Sequence, residues 1–302
     1  MEIVVNQISK RFKNGAQALQ GVSFEVEPGE LFGVIGPDGA GKTTLFRILA
    51  TLFDPDSGSA TVCSYDTVRE YRAIRNLIGY MPGRFSLYQD LSIEENLRFF
   101  ASVFGADLNE NYALIAPIYR QIEPFKDRRA GALSGGMKQK LALCCALVHK
   151  PRLLLLDEPG TGVDPVSRKE FWDMLALLKA QGLTIVVSTP NMDEAALCDR
   201  VALLQHGRII AEGEPEKLVA AYPYPLYAVR SEEMYRLITD LRAWQPVQGC
   251  FGFGQYAHLS LRKTLSGPEE IASYLQEKGH EGIEVAPIEA NIEDCFIAFE
   301  SQ

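Results

Sequence analysis

The run Gly36-Pro37-Asp38-Gly39-Ala40-Gly41-Lys42-Thr43 has the spacing GxxxxGK[ST]. Small residues let successive backbone N–H groups close around anionic oxygens, and a helix opening at Gly41 points the positive end of its dipole at them. The chemistry implied is binding of a nucleoside triphosphate, ATP. Lys42 would reach the β- and γ-phosphates, Thr43 would ligate Mg2+, and Thr44 would add a hydroxyl to a phosphate. Asp38 is out of character, because a carboxylate repels a triphosphate; it is expected to face solvent or a partner.

A second group is Leu153-Leu154-Leu155-Leu156-Asp157-Glu158. A buried strand would deliver Asp157 to its carboxyl end to hold Mg2+ through water. Glu158 would stand beside the γ-phosphate and polarise an attacking water as the catalytic group. A third is Leu133-Ser134-Gly135-Gly136-Met137-Lys138-Gln139, a glycine turn opening a helix and thus another anion site. One phosphate loop does not obviously need a second.

Around these motifs the pattern predicts strands at 2–8, 22–27, 31–35, 60–62 and 77–81, and continuous apolar strands at 153–156 and 184–188. Helices are expected at 41–52, at 167–180 closed by Gly182, and at 193–198, with a hairpin at 201–204 and 208–211. Ser92 reads as an N-cap, with Glu94 and Glu95 in the first turn and Ile93, Leu97, Phe100 and Phe104 at helical spacing. The stretch 85–150 reads as a helix-rich lobe inserted into a parallel α/β sheet. After Tyr222-Pro223-Tyr224-Pro225 the order becomes β-α-β-β-α-β, that of a small ferredoxin-like unit. Its first helix is expected to be capped by Ser231. Pro268 should open the second helix and Gly279 lie past its end. The division expected is residues 1–222 and 223–302.

A chain of 302 residues, 47% of them apolar, can bury a full core. A net charge of −9 and a pI near 5.1 argue against a nucleic-acid surface. From Pro223 onward acidic side chains outnumber basic ones two to one. The longest apolar run, Leu141 to Val148, is far short of the roughly 20 residues that span a bilayer. No signal peptide is legible behind Glu2, so a soluble, cytoplasmic protein is expected. The six cysteines lack metal-type spacing and read as small core residues.

The phosphate loop, Leu-Ser-Gly-Gly and Leu-Leu-Asp-Glu-Pro, in that order within residues 2–222, resemble the ATPase domain of ABC transporters, a mixed-sheet P-loop fold with an inserted helical lobe. Leu133-Ser134-Gly135-Gly136 is similar to that family's signature. The resemblance implies head-to-tail pairing with a second ABC ATPase subunit, so that Ser134, Gly135 and Gly136 close over ATP held by the partner. Phe12 matches the aromatic residue that stacks on adenine. Asp164, in Gly162-Val163-Asp164-Pro165, matches the loop that communicates between the two sites. Arg84 to Asn96 matches the face that receives the coupling helices of transmembrane permease subunits. An exporter ATPase held at the cytoplasmic face of the cell membrane is implied, without nucleic acid. The C-terminal unit, ending Asn291-Ile292-Glu293-Asp294-Cys295-Phe296, is similar to extensions in the bacterial drug and antibiotic exporter branch. Dimerisation, stability and regulation all remain open for it.

Two positions depart from the family. Gly83 follows Tyr80-Met81-Pro82, where the family has glutamine, and Gln89 comes six residues too late. Pro190 follows Ser188-Thr189, where the family has histidine; proline brings neither a polar side chain nor an N–H. ATP and Mg2+ should still bind, but hydrolysis should be weakened. The alternatives are a poorly hydrolysing regulatory half of an asymmetric ABC pair and a soluble ABC-type ATPase acting on ribosomes or DNA. One phosphate loop, no heptads and an acidic tail argue against the latter.

Overall fold

The computed structural model describes residues 1–262 and 267–300. These form two compact units, Met1–Pro215 and Glu216–Gln302.

The first unit opens with a hairpin, β1 (Ile3–Arg11) and β2 (Gln17–Val26). β3 (Leu31–Ile35) leads through the glycine loop into α1 (Lys42–Leu49). β4 (Ser57–Val62), β5 (Tyr65–Asp66), α2 (Tyr71–Leu77) and β6 (Ile78–Met81) follow. The inserted lobe comprises α3 (Ile93–Phe104), α4 (Leu108–Tyr119) and α5 (Gly135–Leu147). The chain then forms β7 (Leu153–Asp157), α6 (Pro165–Ala180), β8 (Thr184–Thr189), β9 (Arg200–Gln205) and β10 (Arg208–Gly213).

The strands segregate into two sheets. A six-stranded sheet runs β10-β9-β3-β8-β7-β6, parallel except at β10, and an antiparallel sheet runs β2-β1-β4-β5. Burial explains the division. Every residue of β3, β7 and β8 is buried, as both faces of a parallel sheet must be, whereas β1 and β2 expose part of theirs. One core joins the two: Ile3, Val5, Phe24 and Val26 from the antiparallel sheet, Phe32, Val34, Leu155 and Val186 from the other, with Leu45, Phe46, Ile48 and Leu49 of α1. The expectation of a parallel α/β sheet therefore holds for five strands; the strands at 2–8, 22–27 and 60–62 belong to a separate antiparallel layer.

Ser92 caps α3 as expected. Its Oγ accepts from Glu95 N at 3.1 Å, and Glu95 Oε2 accepts from Ser92 N at 2.7 Å, a reciprocal capping box. The hydrogen bonds from Ser92 hold the Glu95 carboxyl below its usual range. Ser92→Ala should cost about 1 kcal/mol and lower the melting temperature by a few degrees, with Ser92→Asp close to neutral; thermal denaturation of the three proteins checks this.

Two helices of this unit differ from expectation. α6 begins at Pro165 rather than Ser167, because Asp164 accepts from Ser167 N at 3.0 Å and Pro165 presets the first helical dihedral. Residues 192–197 form a 3-10 turn rather than a regular helix.

α7 (Pro215–Ala220) leads into the second unit, in which β11 (Leu226–Arg230), α8 (Met234–Arg242), β12 (Val247–Phe253), β13 (Tyr256–Leu261), α9 (Pro268–Glu277), β14 (Glu284–Pro287) and α10 (Ile292–Glu300) follow. The sheet runs β12-β13-β11-β14, antiparallel throughout. Leu237 and Leu241 of α8 and Ile271 and Leu275 of α9 join Tyr227, Val229 and Leu259 in its core. Pro268 opens α9, and Gly279 follows it with φ 75. Ser231 does not cap α8, whose N-cap is Glu233. Its buried hydroxyl lies instead 3.4 Å from His280 Nδ1, whose Nε2 meets Asp240 at 3.0 Å.

Candidate nucleotide site

The site lies where parallel strands end, the edge at which open α/β sheets bind ligands. β3 ends at the glycine loop, β7 at Asp157 and, between them in the sheet, β8 at Thr189. Gly36 N donates to Thr189 O at 3.2 Å, tying the loop to β8. A Cβ at Gly36 would fall 2.1 Å from Leu204 O, and one at Gly41 2.4 Å from Ala18 O, so neither position admits a side chain. Gly41, at φ 113, is the N-cap of α1 and supplies no side-chain cap. The first amides of a helix lack intrahelical partners, so those of Lys42, Thr43 and Thr44 remain for phosphate oxygens. Asp38 is exposed at the loop tip, and Thr44 is half-buried in the first helical turn.

Lys42 lies folded along the loop with its side chain 2% exposed. Its Nζ donates to Gly36 O at 2.7 Å and Pro37 O at 3.0 Å, and stands 3.1 Å from Glu158 Oε1. Thr43 Oγ1 donates to Asp157 Oδ1 at 3.2 Å. Lys42, Thr43, Asp157 and Glu158 are thus one cluster, although 114 positions separate Thr43 from Asp157.

Asp157 ends a wholly buried strand, and burial pushes its carboxyl above the usual range, opposed by hydrogen bonds from Ser188 and Thr43. A bound cation would favour the ionised form and reverse that tendency. Glu158 is held at φ 51, a left-handed conformation that costs a side-chain-bearing residue about 1–3 kcal/mol. Its N–H donates to both Ser188 Oγ at 3.0 Å and Ser188 O at 3.1 Å. Ser188 is a residue whose part in the site the sequence did not disclose; its polarity inside a run of buried strand was the available signal.

The donor set suits Mg2+: a hydroxyl and a carboxylate are hard oxygen ligands, leaving other octahedral positions to water and phosphate. Thr43 and Asp157 would hold it, and it would neutralise charge on the β- and γ-phosphates. Among the described residues no cluster of three or more His, Cys, Asp or Glu could hold another metal.

The other expected residues make no hydrogen bond or ion pair with this cluster among the described residues. Ser134 caps α5, its Oγ accepting from Met137 N at 3.4 Å. A Cβ at Gly136 would meet Ser167 Oγ at 2.6 Å, and one at Gly135 would lie 3.7 Å from Gly162 O. The signature turn therefore packs on the loop that carries Asp164. Among the described residues no hydrogen bond or ion pair joins Ser134, Gly135 or Gly136 to Lys42 or Glu158. Phe12 stands at the hairpin tip, 36% exposed, edge-on to Phe53 at 6.0 Å; Arg47 of α1 covers Phe53 at 5.4 Å.

Position 83 abuts both acids. A Cβ there would lie 3.0 Å from Asp157 O and 3.8 Å from Glu158 Cβ. Beside it opens a 610 Å3 cleft lined by Tyr80, Gly83, Phe85, Phe100, Gln139 and Glu158 among others. Gln139 donates to Pro159 O on its wall. On either side of Pro190, Thr189 Oγ1 donates to the buried Glu194, which also accepts from Asn191 Nδ2 at 3.3 Å and pairs with Arg168 at 3.8 Å.

A glycine loop leading from a central parallel strand, with an Asp-Glu pair delivered by a strand two places away, defines a P-loop nucleotide-binding domain. The ABC transporter family model matches residues 19–161, and the chain belongs to that family. It is 46% identical to the probable multidrug ABC transporter ATP-binding protein YbhF of Escherichia coli, across 72% of this chain and 38% of that protein. It is 36% identical to the Nod factor export ATP-binding protein I of Burkholderia pseudomallei, across 96% of this chain and 94% of that one. Among solved structures, an ATP-binding subunit of an ABC transporter superposes with a TM-score of 0.66 at 29% identity, covering 73% of this chain and 92% of that one. A dimeric ATP-binding cassette bound to ADP and Pi superposes with a TM-score of 0.63 at 25% identity, covering 70% and 98%. ABC ATPases bind ATP and as a family hydrolyse it. No helix among the described residues is long and apolar enough to cross a membrane.

Proposed function

We propose that the chain is the ATP-binding subunit of a membrane exporter. Nucleotide binding draws it against a second ABC ATPase subunit, and transmembrane subunits convert closure and reopening into transport. The observation that carries this reading is the convergence of Lys42, Thr43, Asp157 and Glu158 at the ends of β3 and β7, in a chain whose full-length relative is named for export. Phe12 would stack on adenine, Thr43 and Asp157 would hold Mg2+, and Glu158 would polarise the attacking water. The signature turn would serve the ATP of the partner, in keeping with its making no hydrogen bond to this chain's own acids among the described residues. Asp164 would relay between the two sites. The cleft beside Gly83, continuous with residues 84–87, supports Arg84 to Asn96 as the face for transmembrane subunits. Such docking would hold the chain at the cytoplasmic side of the membrane.

Within this function the hydrolytic centre is weakened. Gly83 and Pro190 also favour a second reading, in which this chain is the poorly hydrolysing regulatory half of an unequal pair. The C-terminal unit is read as ferredoxin-like, supported by its β-α-β-β-α-β order and the sheet order β12-β13-β11-β14.

Affinity purification of the tagged chain from detergent-solubilised membranes tests the exporter assignment. Recovery with a multi-span membrane protein is expected, together with ATP binding by the complex. Recovery with ribosomes or DNA and no membrane protein would overturn it.

A further inference from the structure

We propose that Ser188 is the positioning residue for both acids of the hydrolytic centre, fixing which oxygen of Asp157 meets Mg2+ and where Glu158 stands. This rests on the reading of the site as one for Mg2+ and ATP. Ser188, the last residue but one of β8, lies directly opposite Asp157 in the parallel register and is wholly buried. Its Oγ donates to Asp157 Oδ1 at 2.8 Å and accepts from Glu158 N at 3.0 Å. A serine hydroxyl has one hydrogen and two lone pairs, so the bonds are compatible and together determine its orientation: the hydrogen goes to Asp157.

Consequences follow for each acid. The two side-chain hydrogen bonds to Asp157, from Ser188 and Thr43, both fall on Oδ1. Oδ2 takes none from the described residues, which leaves it for the metal or a metal-bound water. Thr43 would serve in both roles at once, its hydrogen toward Oδ1 and its oxygen free to hold the metal. Glu158, at φ 51, is kept left-handed by an N–H shared between the hydroxyl and carbonyl oxygens of Ser188. Groups one bond removed from a metal ligand commonly set its affinity, and their loss costs on the order of tenfold to a hundredfold.

The test compares the wild-type chain with Ser188→Ala and Ser188→Thr. Affinity for a fluorescent ATP analogue is measured in excess EDTA and in Mg2+, alongside thermal denaturation in EDTA. Ser188→Ala removes a single oxygen and leaves the carbonyl bond to Glu158 N in place. It should bind the analogue in EDTA as the wild type does, yet lose about tenfold of the gain that Mg2+ confers. Ser188→Thr retains the hydroxyl on a strand-favouring side chain and should recover most of that gain. A structural serine would instead lower the melting temperature and leave the Mg2+-to-EDTA ratio unchanged. An unchanged ratio in Ser188→Ala overturns the proposal. A wild-type chain that binds the analogue in neither buffer overturns the functional reading on which it rests.

Discussion

Lys42→Ala should weaken binding of a fluorescent ATP analogue by roughly a hundredfold, with the secondary structure intact by circular dichroism. The Lys42 ammonium is enclosed by two carbonyl oxygens, those of Gly36 and Pro37, and by the Glu158 carboxylate, all within 3.1 Å. It is the cation at the centre of a loop otherwise built from backbone. Its removal takes away the charge that would meet the β- and γ-phosphates and leaves Glu158 facing them without a counter-charge. Lys42→Arg should fare little better. The guanidinium is a planar fork, and the space around a side chain 2% exposed fits a compact ammonium. Equal affinity in the wild type and Lys42→Ala would remove the loop from the phosphate-binding role.

The second large effect is a gain. Gly83→Gln/Pro190→His should raise ATP turnover of the purified chain on the order of a hundredfold. A side chain at 83 would begin 3.8 Å from Glu158 Cβ and extend into the cleft beside both acids, where a carboxamide can orient water and Mg2+. A histidine at 190 would follow Thr189, whose carbonyl already holds Gly36 of the phosphate loop at 3.2 Å, so a ring N–H there would stand next to that loop. The first contact at 83, 3.0 Å from Asp157 O, requires the backbone to move by a few tenths of an ångström. Gly83→Gln alone is therefore expected to deliver less than its share. Steady-state release of phosphate checks the rates. A wild type that already turns over rapidly, and gains nothing from the two changes, would show the centre to be intact by other means.

How much of this was legible in the sequence differs by residue. The phosphate loop and the Asp157-Glu158 pair could be read because each is a short local run in which glycine, lysine and carboxylates cluster beside apolar strand. Ser92 could be read for the same reason: a cap and its answering glutamate lie three residues apart. The segregation of β1, β2 and β4 into their own sheet could not, because pairing partners are set by packing across distant chain, and short apolar strands look alike from either side. Ser231 shows local propensity overruled. A serine before a helix is a good cap, yet a buried histidine claimed its hydroxyl and the helix began later. Asp164 shows the opposite: it was singled out by its motif, and the structure adds that it caps α6. Ser188 escaped notice because its two partners lie some thirty residues away in sequence and one strand away in space.

β7 has a further property that follows from its composition. Leu153 to Leu156 are identical and equally buried, so a shift of this strand against β8 would replace leucine with leucine and leave the apolar packing almost unchanged. Such a run carries no positional information of its own. Alignment against β8 has to be encoded at the end, where Asp157 meets Ser188, while Arg152 N donating to Leu77 O at 2.8 Å marks the register on the β6 side. The carboxylate that would bind the metal is thus also a ruler mark for the sheet. A slip of one residue would take the carboxylate away from Ser188 and leave it buried opposite Val187 or Thr189, a cost the four leucines could not repay. Selection for nucleotide chemistry and selection for correct strand alignment therefore act on the same side chain.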